Sequence, residues 1–250
     1  MKIFFKFVLI AFFFLSPTTQ ASEALSAKAI LDRVDDLFRG DASHGRMTMT
    51  IHTEHWERAL TLDFWGQGKD KSFIRILAPQ KEKGTATLRN GTDLWNFLPK
   101  VNRVVKLPSS MMSASWMGSH FSNDDLVKES RFSEDYTFEI SREATENNLE
   151  IVEITCIPKP EAAIVWGKVV VKIKRKDLMP LVTSYFDEDL NLARTMRFEE
   201  VALLGGKMLP SKLIIVPADK PNESTAVKYE KIEFNKNFNA DIFSLRNLQR

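Results

Sequence analysis

Cysteine is almost absent from this sequence, which contains a single one, Cys156, among 250 residues. One cysteine excludes an internal disulfide. Its setting in the apolar run 151–157 (IVEITCI) predicts a small buried side chain rather than a reactive thiol of low pKa. The fold must therefore be stabilised by a hydrophobic core, for which a chain of this length is ample.

A surplus of charge is also lacking. The chain has 35 Lys and Arg against 33 Asp and Glu, for a formal net charge of +2. The two surplus positive charges correspond to Lys2 and Lys6, which precede the first apolar run, and the rest of the chain is neutral. This balance provides no electrostatic footprint for nucleic acid or for an anionic membrane surface.

Motifs of known catalytic chemistry are missing as well. The sequence has no G-x-S-x-G, no serine followed three residues later by lysine, and no glycine-rich phosphate loop. Of its four histidines, His52 and His55 are three apart, which puts them on opposite faces of a strand. Adjacent acids such as Asp124 and Asp125 diverge and are interpreted as caps or solvated faces. We therefore expect no enzyme, no metal site and no cofactor.

The N-terminus carries the features of a secretory leader. Lys2 and Lys6 precede the apolar run 7–15 (FVLIAFFFL), and Pro17 and Ala21 follow with the small residues of a cleavage site. The alternative is a membrane anchor, but the run is about half of the ~20 residues that cross a bilayer. The sequence predicts a cleaved signal at 1–21 and a mature chain, 22–250, of one domain or at most two small ones.

Hydrophobic periodicity then predicts one helix followed almost entirely by strands. Apolar residues at helical spacing predict a helix near 27–38, capped by Ser22 or Ser26 and ended by Gly40. Short turn signals between the later runs predict antiparallel neighbours. The strand-like runs are 47–52, 60–64, 71–78, 84–90, 93–98, 102–107, 136–144, 149–158, 166–175, 180–187, 191–203, 208–216 and 224–234.

Several of these runs are apolar on both faces, notably 73–77, 94–98, 169–173 and 213–216. A half-exposed sheet would alternate more strictly. Helices that cover the sheet and fill the core would explain this surplus, and so would a cavity for an apolar ligand.

The segment 108–128 interrupts the strands and places methionine and aromatic residues among Ser, Ala and Gly. Methionine adapts to varied apolar shapes, so the segment is either a movable flap or an ordinary buried loop.

Two stretches resemble the outer-membrane lipoprotein-sorting (LolA-like) family of Gram-negative bacteria, closest to the branch found beside membrane exporters. The family pattern is roughly W-x-Y-x-P, a basic run, and S-F-M-G-[ST]-D-F-[ST]-x-x-D-L. The matching residues are Trp95-Asn96-Phe97-Leu98-Pro99-Lys100, Arg103-Val104, and Ser115-Trp116-Met117-Gly118-Ser119-His120-Phe121-Ser122-Asn123-Asp124-Asp125-Leu126. Phe97, Trp116 and His120 depart mildly from the Tyr, Phe and Asp of the pattern.

This resemblance implies a mainly β fold, an unclosed antiparallel β-barrel of about eleven strands, with helices as a lid over a hydrophobic cavity. Members carry acyl chains of lipoproteins across the periplasm or sense lipidated ligands. The resemblance therefore implies a periplasmic protein whose partners are lipid or lipoprotein acyl chains and an inner-membrane exporter or permease. An accessory or sensor protein that binds a protein partner is the alternative function.

The candidate site combines this resemblance with the strand patterns. For the lid we predict Met111, Met112, Trp116, Met117 and Phe121. For the cavity wall we predict Trp95, Phe97, Leu60, Leu62 and Phe64.

Overall fold

The computed structural model describes residues 25–250 except 39, 129–134, 163, 236 and 238. The leader predicted at 1–21, and Ser22 as a possible cap, lie outside these residues. Helix α1 spans Ala27–Phe38. The hydroxyl of Ser26 accepts a hydrogen bond from the amide of Ala29 at 3.2 Å, so Ser26 caps the helix.

Thirteen strands follow and form one sheet. Two short helices, α2 at Asp125–Lys128 and α3 at Leu245–Leu248, accompany them. The strands are β1 Ala42–His52, β2 Glu57–Gln67, β3 Lys71–Ala78, β4 Ala86–Asn90, β5 Asp93–Leu98, β6 Arg103–Lys106, β7 Tyr136–Glu146, β8 Leu149–Pro158, β9 Lys168–Lys174, β10 Pro180–Phe186, β11 Leu192–Leu204, β12 Lys207–Pro217 and β13 Ser224–Phe234.

The strand order is β6-β5-β4-β3-β2-β1-β13-β12-β11-β10-β9-β8-β7, and the neighbours are antiparallel. The sheet is unclosed, with β6 and β7 at its two ends. This confirms the predicted mainly β, unclosed antiparallel fold, with thirteen strands rather than about eleven. Each of the thirteen strand-like runs corresponds to one strand. The shortest strand, β6, lies at the edge of the sheet and corresponds to the run 102–107.

The order of the strands explains the position of the segment 108–128. The chain leaves the sheet after β6 at one edge and re-enters it with β7 at the other. On the way, Trp116 bonds to β4, Met117 to β2, His120 to β13 and Asp125 to β11. These partners follow the order of the strands, so the segment crosses one face of the sheet and covers it.

Helix α1 covers the other half of the same face. Ile30 and Leu31 are buried in a cluster with residues of β8 to β12, among them Val152, Val169 and Ile215. The amphipathic pattern of the helix therefore has a direct cause, because one side packs on the sheet and the opposite side meets solvent.

A third element covers the opposite face of the sheet. The C-terminal turn Ala240–Phe243 and helix α3 pack against β3, β4 and β5. Phe243 and Leu248 are buried there with Phe73, Leu88 and Phe97. Strands β3 to β5 therefore have cover on both faces, which accounts for the apolar surplus of their sequences.

Candidate ligand-binding cavity

A cavity of about 320 Å³ lies between the sheet and its two covering elements. Ligand pockets of proteins span about 300–1,000 Å³, so this cavity is at the small end of that range. It is lined by Leu31, Val34, Asp35, Phe38, Gly40, Ser43, Met47, Met49, Phe64, Trp65, Gly66, Gly68, Lys71, Ser72, Ile74, Arg89, Trp116, Phe121, Leu126, Val171, Thr183, Tyr185, Met196, Phe198, Leu213, Val227 and Tyr229.

Aromatic rings connect α1 to the sheet along one side of the cavity. Phe38 of α1 lies 5.9 Å from Tyr229 and 6.3 Å from Phe198, measured between ring centroids. Tyr229 meets Phe64 edge to face at 5.7 Å. Gly45 allows this position of Phe64, because a Cβ at Gly45 would lie 2.6 Å from the Phe64 ring.

Trp116 forms the cover of the opposite end. Its indole N–H donates to the hydroxyl of Thr87 at 3.1 Å, so this buried polar group is satisfied. Met117 and Gly118 both have positive φ, 53° and 70°, and turn the chain after Trp116. The guanidinium of Arg58 donates to the carbonyl oxygen of Met117 and fixes that turn to β2.

A buried ion pair fastens the end of the covering segment to β11. Arg194 donates to the two carboxylate oxygens of Asp125 at 2.6 and 2.8 Å, and both side chains are less than a tenth exposed. Arg194 also donates to the carbonyl oxygen of His120 at 3.2 Å and lies over the ring of Tyr185, which lines the cavity. The two parallel hydrogen bonds fix the orientation of the Asp125 carboxylate relative to the Arg194 guanidinium as well as the distance between them.

His120 makes a second, more exposed attachment to β13 and the loop before it. Its ring nitrogens lie 2.8 Å from the Thr225 hydroxyl and 3.2 Å from the Glu223 carboxylate. The hydrogen bond from His120 lowers the pKa of Glu223 below its ordinary value. The covering segment is thus held by polar contacts to four strands, β4, β2, β13 and β11.

The structure distributes the ten predicted residues over several environments. Phe64, Trp116 and Phe121 line the cavity. Leu60 and Leu62 are fully buried on the same face of β2, in the cluster that contains Trp116 and Met117. Met112 packs beside Leu94 and Leu107, and Met111 is about half exposed.

Trp95 and Phe97 lie elsewhere. They pack with Phe73 and Leu88 under the C-terminal segment, on the face of the sheet opposite to the cavity. Phe97 pairs with Ala86 and Trp95 with Leu88, whereas Thr87, between these two, meets Trp116. The placement of Trp95 and Phe97 in the cavity wall is therefore corrected, because both faces of β5 are covered and its apolar pattern does not distinguish them.

Most of the lining residues were not identified from the sequence. They include the inner side of α1, residues of β9 to β13, the polar residues near Arg89, and Met47 and Met49 of β1. The helical periodicity of 27–38 was a usable signal for the inner side of α1. The pairing of Asp125 with Arg194 joins residues 69 positions apart, which local patterns do not reveal.

Two features are absent from the described residues. No group of three or more His, Cys, Asp or Glu in that part of the chain is arranged to hold a metal ion. No helix there combines the length and apolar character needed to cross a bilayer.

Solved structures with the same fold are similar over nearly the whole chain. A putative outer membrane lipoprotein-sorting protein domain from Vibrio parahaemolyticus is 21% identical, with 90% of this chain and 98% of that one covered at a TM-score of 0.78. For a LolA superfamily protein from Nitrosomonas europaea the identity is 22%, the coverage 90% and 100%, and the TM-score 0.76. A DUF1329 family protein from Desulfovibrio piger is 18% identical, with 89% of this chain and 97% of that one covered at a TM-score of 0.81.

No curated protein matches the sequence. A family model described as "-like: Uncharacterized protein" matches residues 68–250, which is well over half of the chain. The chain therefore belongs to the family of that model, and it shares its fold with the Vibrio domain and the Nitrosomonas protein.

Proposed function

We propose that this protein is a periplasmic carrier that binds acyl chains of lipids or lipoproteins in its cavity, for transport or outer-membrane sorting. The observation that supports this most strongly is a largely apolar cavity beneath the covering segment, which specific polar contacts attach to the sheet. The names of the Vibrio and Nitrosomonas relatives, a lipoprotein-sorting domain and a LolA superfamily protein, agree with this role.

Burial of hydrocarbon supplies the affinity in this proposal. Each buried CH₂ contributes about 0.8 kcal/mol, so ten of them would contribute about 8 kcal/mol before the cost of immobilising the chain. A ligand held in this way does not leave quickly by itself. Release therefore requires a partner that opens the cover or competes for the cavity, which is the role we assign to an inner-membrane exporter or permease.

The leader at 1–21 supports export, and we propose that residues 22–250 act as one lipid-binding domain without enzymatic activity. In the periplasm, a neutral protein free of disulfides would meet lipids between two membranes. The contacts that anchor the cover also suit this role, because a cover attached at separate points can open from one side.

Filling the cavity tests the proposal. Leu213 lies on β12 and lines the cavity. We expect Leu213→Trp to weaken binding of a fluorescent fatty acid at least tenfold while the thermal midpoint stays close to that of the wild type. The matched control is Ile140→Trp on the edge strand β7, where the side chain is about 40% exposed and is not one of the lining residues. Unchanged binding in Leu213→Trp, or no binding by the wild type, would contradict the carrier function.

One surface favours the accessory or sensor function as a second candidate. Val201, Leu203 and Met208, at the end of the β11–β12 hairpin, are each more than half exposed. Clustered exposed apolar residues are typical of interaction sites. If a protein partner is the main ligand, replacing these three residues with serine will abolish cross-linking to that partner and leave fatty-acid binding unchanged.

A further inference from the structure

The cavity has a polar end that the apolar ligand proposed above does not explain. Ser43 pairs with Gly66, Gly66 with Ser72, and Ser72 with Arg89 in the register of neighbouring strands. These four residues therefore form one row across β1 to β4, and all four line the cavity. Trp116 and Phe121, which belong to the covering segment, contribute apolar side chains to the lining of the cavity.

Arg89 contributes a fixed positive charge to this row. Its side chain is almost fully buried, and its guanidinium donates to the carbonyl oxygens of Gly91 at 3.0 Å and Lys69 at 2.6 Å. These bonds to the neighbouring β2–β3 and β4–β5 turns hold the guanidinium in place. A charge fixed in this way interacts with a ligand without first losing conformational entropy.

The charges around this end are predominantly positive. Lys71 lines the cavity on an exposed part of β3, next to the β2–β3 turn. Among the lining residues that the structure describes, Arg89 and Lys71 are cationic and Asp35 of α1 is the sole acid. An anionic group is therefore favoured there over a cationic one.

Glycine provides room for such a group. A Cβ at Gly66 would lie 3.0 Å from the Ser43 hydroxyl, so a side chain at that position would press against the row. A Cβ at Gly68 would meet no atom within 4 Å. The polar end thus combines hydroxyl groups, positive charge and space at the border with solvent.

We propose that the ligand is a single-chain anionic amphiphile, with its carboxylate or phosphate at Ser43, Ser72, Arg89 and Lys71. Its acyl chain then extends under α1 towards Val171 of β9 and Tyr185 of β10, which line the far side of the cavity. A volume of about 320 Å³, at the low end for ligand pockets, suits one chain rather than several. This inference rests on the proposed function and specifies the class of ligand.

Competition at constant chain length tests the head group separately from the chain. A bound fluorescent fatty acid is displaced with dodecanoate, dodecyl phosphate, methyl dodecanoate and dodecyltrimethylammonium, and with inorganic phosphate alone. We expect both anionic amphiphiles to compete about tenfold better than the ester, the expected size for a charge-assisted hydrogen bond, and the cation to compete worst. Whichever anion is stronger identifies carboxylate or phosphate as the preferred head.

Two variants locate the effect. Lys71→Glu should remove most of the preference for anionic amphiphiles without weakening competition by methyl dodecanoate. Lys81 is exposed and lies outside the cavity, so Lys81→Glu should change neither the preference nor the competition by the ester. Because Arg89 is buried, Arg89→Lys is a secondary variant and is interpreted only if its thermal midpoint is retained.

The outcomes separate this inference from the proposed function. Equal competition by the ester and the anions, or an unaltered preference in Lys71→Glu, would overturn the head-group inference and leave the carrier intact. Inorganic phosphate that competes as well as dodecyl phosphate would also overturn it, because the site would then recognise a free anion. Failure of every alkyl compound to compete would contradict the carrier function itself.

Discussion

Cys156 is the single cysteine of the chain, and its thiol has no access to solvent. The run 151–157 predicted a buried thiol, and the structure places Cys156 fully buried in the cluster under α1. Burial raises the pKa of this thiol to about 12. The thiolate is the reactive form, so at neutral pH the native side chain is inert.

The resulting prediction concerns alkylation. Iodoacetamide should leave the native protein unmodified at pH 8 over hours and modify one site rapidly in strong denaturant. Intact-mass spectrometry measures both reactions. Rapid modification of the folded protein would show that the cluster under α1 opens to solvent.

Glu223 gives a prediction at low pH. Its pKa is lowered in the folded protein, mainly by the hydrogen bond from His120. A carboxyl group with a lowered folded pKa stabilises the protein above its unfolded pKa of about 4.3, and this contribution is lost as pH falls through the folded pKa. We therefore expect Glu223→Gln to lower the free energy of unfolding at pH 7, and the difference from wild type to shrink as the pH falls below about 4.

Urea titrations at pH 7 and pH 3 measure this difference. Glu57→Gln is the matched control, because Glu57 also lies 3.3 Å from a histidine, His52, but both side chains are more than half exposed. We expect little effect of that substitution at either pH. A Glu223→Gln deficit that persists unchanged at pH 3 would contradict the assignment.

The predicted wall residues show what strand patterns can and cannot establish. Alternation correctly put Leu60, Leu62 and Phe64 on one face of β2, and that face meets the cavity or the cluster beneath its cover. On β5 the same argument selected Trp95 and Phe97, which lie under the C-terminal segment. Period-two patterns define two faces, but only the packing of distant elements decides which face borders a cavity.

At the scale of elements, the covering segment depends on contacts that its own sequence does not contain. The sequence predicts caps or solvated faces for Asp124 and Asp125, and Asp125 is a cap, because Ser122 and Asp125 exchange amide hydrogen bonds at 2.7 and 3.1 Å. The contribution of Arg194, from β11, could not be predicted because it depends on the strand order. The segment can therefore be recognised from sequence, but its anchor cannot.

Removing one partner of this anchor should be costly. Loss of one member of a buried ion pair leaves an uncompensated charge, so we expect Asp125→Ala to lower the free energy of unfolding by about 3–5 kcal/mol. Arg142→Ala, in the half-exposed pair with Glu146, should cost less than about 1 kcal/mol. Denaturant titration of both variants tests the comparison, and similar losses in the two would contradict a special role for the buried pair.

At the scale of the whole molecule, the resemblance implied about eleven strands and the sheet has thirteen, but the antiparallel pairing of the strands followed from the short turns between the predicted runs. Their order did not, because nothing local indicates that β1 pairs with β13 or that the chain crosses the open side between β6 and β7. The cavity is a consequence of that order. The apolar surplus therefore predicted additional cover or a cavity, and the structure contains both, on opposite faces of the sheet.

The central claim is that this cavity holds an acyl chain, and native mass spectrometry tests it most directly. The protein, expressed from its full-length sequence and purified without detergent, is measured beside Leu213→Trp. We expect the wild type to carry one acyl-chain ligand in near-stoichiometric amount, released on unfolding, and the filled variant to carry little or none. A wild-type protein that is free of lipid and takes up no fatty acid when it is added would contradict the account.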